Sequence, residues 1–138
     1  MGKKNYLIIG ATILIFAVAI IVILLSGNKE DWTTDIKNSQ KYQMTMIDCN
    51  GREKKIDNSV LDSLSKKWNE LSNNGPWTGD TNTCYTTLTI SYDNNGIVKQ
   101  KEIIIIDNTS IVLNLNTSTI YYTNANSLIA YLNTLFIE

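Results

Sequence analysis

The sequence predicts an α+β domain built on an antiparallel sheet. Segments in which apolar and polar residues alternate recur from residue 41 onward, which is typical of half-buried strands. Short Asn-rich and Asn-Gly segments separate them, as in antiparallel hairpins. Two other segments have apolar residues at helical spacing. We therefore expect a small two-layer domain of order ββαββββα, preceded by a transmembrane helix.

The N-terminal part of the chain contains a long apolar stretch. From Tyr6 to Leu25 it carries no charge, and its roughly 20 residues suit a helix that crosses a hydrocarbon layer of about 30 Å. A cleavable signal peptide would have a shorter apolar core followed by a cleavage site. Ala17-Val18-Ala19 has that form but lies inside the stretch. We expect a retained signal anchor over 6–26, against the alternatives of a cleaved signal and a buried soluble helix.

The distribution of lysines predicts the orientation of this anchor. Lys3 and Lys4 precede the apolar stretch, whereas Lys29 is followed at once by two acidic residues. Because an excess of Lys and Arg marks the cytoplasmic side, residues 1–5 should be cytoplasmic. The expected location is the cell membrane, with one spanning helix and the C-terminal domain extracytoplasmic.

Polar residues fill the segment between the anchor and the predicted domain. Residues 27–40 show no apolar periodicity and are interpreted as a juxtamembrane linker. Ordered structure should therefore begin near Lys41, so that 41–138 form the extracytoplasmic α+β domain.

The first predicted elements are a hairpin and a helix. Residues 42–46 alternate in polarity, Asn50-Gly51 supplies a turn, and 52–56 form the return strand. Asp57 or Asn58 can cap the helix that follows. This helix ends at Asn74-Gly75-Pro76 and carries one apolar face, made of Val60, Leu61, Leu64, Trp68 and Leu71.

Four strands and a closing helix follow. The strands are expected over 85–92, 97–106, 110–115 and 119–123. The second of them ends in four consecutive isoleucines, which predicts a central strand covered on both faces. From about Asn126, a helix places Leu128, Ile129, Leu132, Leu135 and Phe136 on one stripe.

Both helices are expected on one face of the sheet, because each has a single apolar side. The outward positions of the strands carry Thr, Ser and Asn. The other face should therefore be partly exposed, either solvated or available as a docking surface.

Composition excludes several classes of function. Lys+Arg number 12 against 13 Asp+Glu, for a net charge of -1, so the chain lacks the basic excess with which proteins bind nucleic acid. It contains no histidine, which excludes a Ser/His/Asp triad, a Cys/His pair and a His-ligated zinc. We expect a protein without catalytic activity and without a cofactor. Heavy use of Asn, Ile, Lys, Thr and Tyr suggests AT-rich coding, as in a low-GC bacterium.

The two cysteines lie in the part predicted to be extracytoplasmic, where disulfides persist. A bond between Cys49 and Cys84 would close a loop of roughly 35 residues and add about 3 to 4 kcal/mol to the free energy of unfolding on the chain-entropy estimate. Strand parity places the two residues on opposite faces, which counts slightly against the bond, although positions at strand ends are loosely constrained. Both alternatives remain open, whereas a catalytic or redox role is not supported, because the spacing is not CxxC.

A tryptophan in a turn-rich loop is the most unusual local feature. Trp77 lies among the turn residues of 73–80, and tryptophan is enriched at binding hot spots. We select Trp77 and Asp80 as candidate partner-binding residues. The alternative is that Trp77 folds back onto the core. No stretch around Asp80 or Asp93 has the spacing of a calcium-binding loop, so no metal site is expected.

These observations predict a membrane-anchored extracytoplasmic domain that binds another protein at the cell surface. It would be an accessory subunit of a membrane complex or an inhibitor or immunity-type protein. The alternative is an extracytoplasmic sensor or small-ligand binding module.

Overall fold

The computed structural model describes residues 9–18, 31–80 and 83–137. The chain divides into two units, Met1–Asp31 and Trp32–Glu138. In the first unit, residues 9–18 are helical and their side chains are exposed. No helix among the described residues is both long enough and apolar enough to cross a bilayer. The anchor expected over 6–26 lies partly outside the described residues, at 6–8 and 19–26, and stays a prediction, as does the cytoplasmic assignment of 1–5.

The second unit is an α+β fold with a single antiparallel sheet of seven strands in the spatial order β2-β1-β4-β5-β6-β7-β3. The elements along the chain are α1 (Thr34–Asn38), β1 (Tyr42–Ile47), β2 (Glu53–Ile56), α2 (Val60–Trp68), β3 (Ser72–Pro76), β4 (Thr87–Asn94), β5 (Ile97–Ile105), β6 (Ile111–Asn114), β7 (Thr119–Thr123) and α3 (Asn126–Ile137).

The α+β class and the antiparallel sheet are as predicted. The isoleucine-rich strand β5 is the middle strand of the seven. In its register, Ile103 lies opposite Leu88 on one side and Leu113 on the other, and its side chain is fully buried. The apolar run therefore marks the centre of the sheet, as predicted, but its cover is complete only on the side of Ile103, since Ile104 on the other side is only partly buried.

The sheet contains one strand that the predicted order ββαββββα does not include. Ser72–Pro76, expected to end the helix, instead forms β3 and pairs with β7 at one edge of the sheet. Its residues have low strand propensity and show no apolar alternation. The strand exists because β7 offers unpaired backbone groups. Its register is broken between Asn73 and Pro76, and such irregular, Pro-containing strands are found at sheet edges.

The folded unit also begins earlier than predicted. Trp32 is 7% exposed and Ile36 is fully buried, so residues 32–40 belong to the domain and not to a linker that extends to residue 40. The two apolar residues are one helical turn apart, and a single turn is too short to give a periodic signal. Lys101 fixes this segment, since its Nζ donates a hydrogen bond to the carbonyl oxygen of Trp32 at 2.6 Å.

The hydrophobic core lies on one face of the sheet, here called the core face. Buried residues of β1, β4, β5 and β6 form a single cluster with residues of all three helices of this unit. Three aromatic rings pack together in one part of this cluster. The ring centroid of Trp68 lies 4.9 Å from that of Trp32 and 5.0 Å from that of Tyr122. Both long helices are therefore on one face, as predicted from their single apolar sides.

The opposite face of the sheet is here called the second face. One row of cross-strand neighbours on it is polar: Lys55, Thr45, Thr89, Glu102, Asn114 and Thr119. The adjacent row is more apolar: Glu53, Ile47, Thr87, Ile104, Val112 and Tyr121. Most of these side chains are partly exposed, as expected for a sheet face that no helix covers.

Candidate protein-contact surface

The connection between β3 and β4 crosses the width of half the sheet. We call its described residues, 77–80 and 83–86, the Trp77 loop. β3 is an edge strand, whereas β4 lies beyond β7, β6 and β5. Hydrogen bonds fix the loop at both ends. The Trp77 N–H donates to the carbonyl oxygen of Thr119 at 3.0 Å, and the Thr86 carbonyl oxygen accepts from the Ile105 N–H at 3.0 Å.

Trp77 lies on the second face. Its ring centroid is 5.2 Å from that of Tyr121, with the ring planes tilted by 40°. Tyr121 points away from the core face because its chain neighbour Tyr122 contacts Trp68 in the core and side chains alternate along a strand. Val112, the cross-strand neighbour of Tyr121, is only 1% exposed. The second face is therefore covered in this region, and Trp77 is half-buried there.

Gly79 allows Trp77 to occupy this position. A Cβ added at Gly79 would overlap Cζ2 and Cη2 of the Trp77 ring. Any other residue would force the ring or the loop backbone to move, because contacts this short do not occur between real side chains. The absence of a side chain at Gly79 therefore allows the indole of Trp77 to pack closely against the loop backbone.

Asp80 lies next to this contact and is exposed. Its carboxylate accepts a hydrogen bond from the Thr83 hydroxyl at 3.2 Å, which links the two described parts of the loop. The candidate residues Trp77 and Asp80 therefore lie in one loop, with the aromatic ring held against the second face and the carboxylate accessible to solvent.

A disulfide joins Cys84 in this loop to Cys49 in the turn between β1 and β2, with a Cα–Cα distance of 5.5 Å. The parity argument for separate thiols is not decisive, because both residues lie outside the strands, where side-chain direction does not follow strand alternation. The Trp77 loop is thus attached near one end through the Trp77 ring and near the other through the disulfide.

The turn that carries Cys49 is rigid because Asp48 organises it. The Asp48 carboxylate accepts hydrogen bonds from the N–H groups of Asn50 and Arg52, both at 2.9 Å, and from the Arg52 Nε at 2.6 Å. Enclosure of the carboxyl by its own turn acts to raise its pKa, but these hydrogen bonds and the guanidinium charge together hold the pKa of Asp48 below its usual value. The ionised Asp48 stabilises the turn to which the disulfide is attached.

A polar cleft of about 720 Å³ lies near the edge of the sheet opposite to β3, at the start of β1 and the end of β2. Lys41, Lys55, Gln40 and Gln43 contribute to its lining. Within the described part of the chain, none of these four side chains makes a hydrogen bond or an ion pair, so their polar groups point into solvent. No three Asp, Glu, Cys or His side chains described in the structure converge as a metal site would require.

Comparison with protein-family models, curated proteins and solved structures finds nothing that matches this chain.

The sequence selected Trp77 and Asp80 as candidates but did not point to the ring on which Trp77 rests. In the predicted strand 119–123, alternation places the apolar Ile120 and Tyr122 on one side and Tyr121 on the other, so the outward direction of Tyr121 follows from strand parity. Its contact with Trp77 was not, because it depends on where the loop crosses the sheet.

Proposed function

We propose that this chain is a single-pass membrane protein whose extracytoplasmic domain, without catalytic activity, binds another protein at the cell surface. Its N-terminus is cytoplasmic, and its role is that of an accessory subunit of a membrane complex or of an inhibitor or immunity-type protein. The uncharged stretch from Tyr6 to Leu25 and the lysines before it support the membrane attachment.

The observation that carries the binding proposal is the half-buried Trp77 on the second face. A protein-binding hot spot favours an aromatic side chain whose position is fixed before binding, because little conformational entropy is then lost. The contact with Tyr121 and the close approach of Gly79 fix the indole in this way. Asp80, three residues further along the same loop, is exposed and adds a charged group to it.

The surroundings of Trp77 suit the rim of a protein interface. Thr119, whose carbonyl oxygen accepts the Trp77 N–H, begins a polar row that continues across the second face through Asn114 and Glu102, and all three residues are only partly buried. Their hydroxyl and carboxylate groups can exchange hydrogen bonds with water for hydrogen bonds with a partner. A polar rim around an aromatic centre is the usual anatomy of such an interface.

The experiment is crosslinked capture of the full-length protein from its own membranes, with the recovered proteins identified by mass spectrometry. One abundant partner is expected with the wild-type chain. It should be lost with Trp77→Ala and reduced with Gly79→Ala, which displaces the same ring without removing it. Recovery of that partner at the wild-type level by both variants would contradict the proposal.

A matched pair of charge reversals tests the second candidate residue. Asp80→Lys should weaken capture of the same partner, whereas Glu70→Lys makes the same charge change on an exposed residue after α2 and should leave it intact. Equal loss with both variants would indicate a general effect of charge, and not a contact at the Trp77 loop.

The polar cleft favours a second candidate function, an extracytoplasmic small-ligand binding module. Two lysines and two amides without partners in the described chain suit a small carboxylate or phosphate compound. Thermal unfolding of the full chain in detergent with such compounds would test it. A concentration-dependent rise in Tm that disappears with Lys41→Ala and Lys55→Ala but survives Lys66→Ala would support this candidate, whereas no rise with any compound would exclude it.

A further inference from the structure

The hairpin between β4 and β5 projects beyond the rest of the sheet. β1 pairs with β4 only as far as Tyr92, and β6 pairs with β5 only from Glu102 onward. The residues between, 93–101, pair chiefly with each other, and the first four residues of β5 are all exposed. We call 93–100 the hairpin tip.

Two exposed aliphatic residues follow each other in the hairpin tip. Ile97 is 64% exposed and Val98 is 72% exposed. As consecutive residues of a strand they point to opposite sides, so no single packing partner within the domain can cover both. Leaving both in water forgoes the favourable free energy of burying two aliphatic side chains.

The backbone of the hairpin tip forms a tight turn. Asn95 and Gly96 have positive φ angles of 54° and 85°, which match the tight two-residue turn that suits a twisted hairpin. The Asp93 carboxylate accepts a hydrogen bond from the Gly96 N–H at 2.8 Å. Ile97 and Val98 are therefore presented by a defined turn and not by a long, open loop.

The hairpin tip adjoins the start of the folded unit. The Lys41 carbonyl oxygen accepts a hydrogen bond from the Asp93 N–H at 3.1 Å. A cleft of about 510 Å³ is lined by Asp35 and by residues 38–40 on one side and by residues 93–96 on the other. The segment through which the domain continues toward the N-terminus thus lies at the same end of the sheet as Ile97 and Val98.

The length of chain before the folded unit limits how far this end can be from a membrane. Residues 26–31 separate the apolar stretch from Trp32, and a segment of this length reaches at most about 20 Å when fully extended. We propose that the hairpin tip contacts the bilayer surface, with Ile97 and Val98 in the headgroup region. This inference rests on the membrane anchor of the proposed function.

The chemistry of the hairpin tip suits a lipid surface. Side chains that point to opposite sides can both be buried in a fluid medium, whereas a protein pocket would have to surround the tip. Lys99 within it and Lys41 beside it are exposed, and lysines at an interface interact with lipid phosphates. Because the anchor would hold the tip near the bilayer, even a weak affinity would keep it in contact.

The test uses the full chain reconstituted in vesicles of phosphatidylcholine and phosphatidylglycerol. An environment-sensitive fluorophore is attached to Val98→Cys, with the Cys49–Cys84 disulfide kept oxidised. The matched control is Asn108→Cys, an exposed position in the turn at the other end of β5, about 30 Å away along the strand. We expect the Val98 label to shift to the blue and to be quenched roughly twofold by headgroup-region spin-labelled lipid. The Asn108 label should show neither change.

Three results would overturn the proposal in distinguishable ways. Release of the chain from the vesicles by alkaline carbonate would contradict both the membrane anchor and the bilayer contact. Retention of the chain with identical, water-like signals from the two labels would exclude the contact while leaving the anchor intact. A blue shift of the Val98 label without quenching by lipid would indicate that the hairpin tip is covered by protein.

An unlabelled variant separates this proposal from the binding proposal. The double change Ile97→Ser and Val98→Ser should leave capture of the partner through Trp77 at the wild-type level, because the hairpin tip is not part of that contact. Loss of the partner would assign the tip to a protein interface and contradict a bilayer contact.

Discussion

The two faces of the sheet differ in how they are covered. The core face is packed by helices, and Met44, Ile90 and Ile103 on it are fully buried. The second face is covered only in part, where the Trp77 loop crosses it, and Ile47 there remains 40% exposed. The same strands supply both faces, since alternate residues of each strand point to opposite sides.

This difference separates stability from recognition. Burial on the core face provides most of the stabilising free energy, because that energy scales with the apolar area removed from water. The second face contributes less area and keeps polar groups in contact with solvent. Its side chains can therefore be changed, and its surface occupied by a partner, at a small cost to folding.

The strongest test compares one residue from each face. Ile103→Ala should lower the free energy of unfolding by about 2 to 5 kcal/mol, because it leaves a cavity in a packed core. Thr89→Ala, on the second face of the neighbouring strand, should lower it by less than about 1 kcal/mol. Urea unfolding of the full chain in detergent measures both values. Similar losses would show that the second face is also packed.

The disulfide tests whether the loop on the second face contributes to stability. Replacing Cys49 and Cys84 by serine should lower the free energy of unfolding by about 3 to 4 kcal/mol on the chain-entropy estimate. Reduced wild-type protein should match the double variant in urea unfolding. If both retained wild-type stability, the covalent link would be dispensable and the hydrogen bonds of Trp77 and Thr86 would suffice to hold the loop.

Lys101 tests the way the first residues of the domain are held on the core face. Its Nζ donates to the Trp32 carbonyl and lies 3.8 Å from an Asp35 carboxylate oxygen. Lys101→Met should cost about 1 to 3 kcal/mol, because a buried carbonyl loses a donor. Backbone amides of 33–38 should exchange hydrogen faster, whereas the exposed Lys99→Met should have no effect. Unchanged exchange with Lys101→Met would show that packing of Ile36 alone holds this segment.

The smallest expected effect concerns acid sensitivity in a turn. The Thr109 N–H donates to the Asp107 carboxylate at 2.8 Å and is the main reason that the pKa of Asp107 lies below the usual 3.8. The ionised Asp107 carboxylate therefore contributes fully to stability above pH 3.8. This contribution is lost as the pH falls through the lower pKa of the folded state. Asp107→Asn should flatten this part of the pH profile of Tm. The expected change in Tm is small because solvent screens an exposed carboxylate. A pH profile of Asp107→Asn identical to that of the wild type would contradict this prediction.

Much of the fold could be predicted from sequence where the signal is local and repeated. The alternation in β1 and β4, the Asn-Gly turns, and the apolar faces of α2 and α3 each specify an element without reference to the rest of the molecule. The isoleucine run of β5 even indicated a central position. In the candidate site, the same local reasoning selected Trp77 and Asp80 from an unusual composition.

The elements that were missed depend on distant partners. β3 has no strand pattern and forms because β7 presents a free edge. Trp32 and Ile36 are core residues because they pack against the sheet and α2. The amino-acid sequence by itself determined the α+β class, most elements and the candidate residues, since periodicity and turn preference are local properties. Only the tertiary structure decided that Trp77 rests on Tyr121, that Cys49 meets Cys84, and that Ile97 and Val98 project from the sheet, because each depends on where distant segments come together.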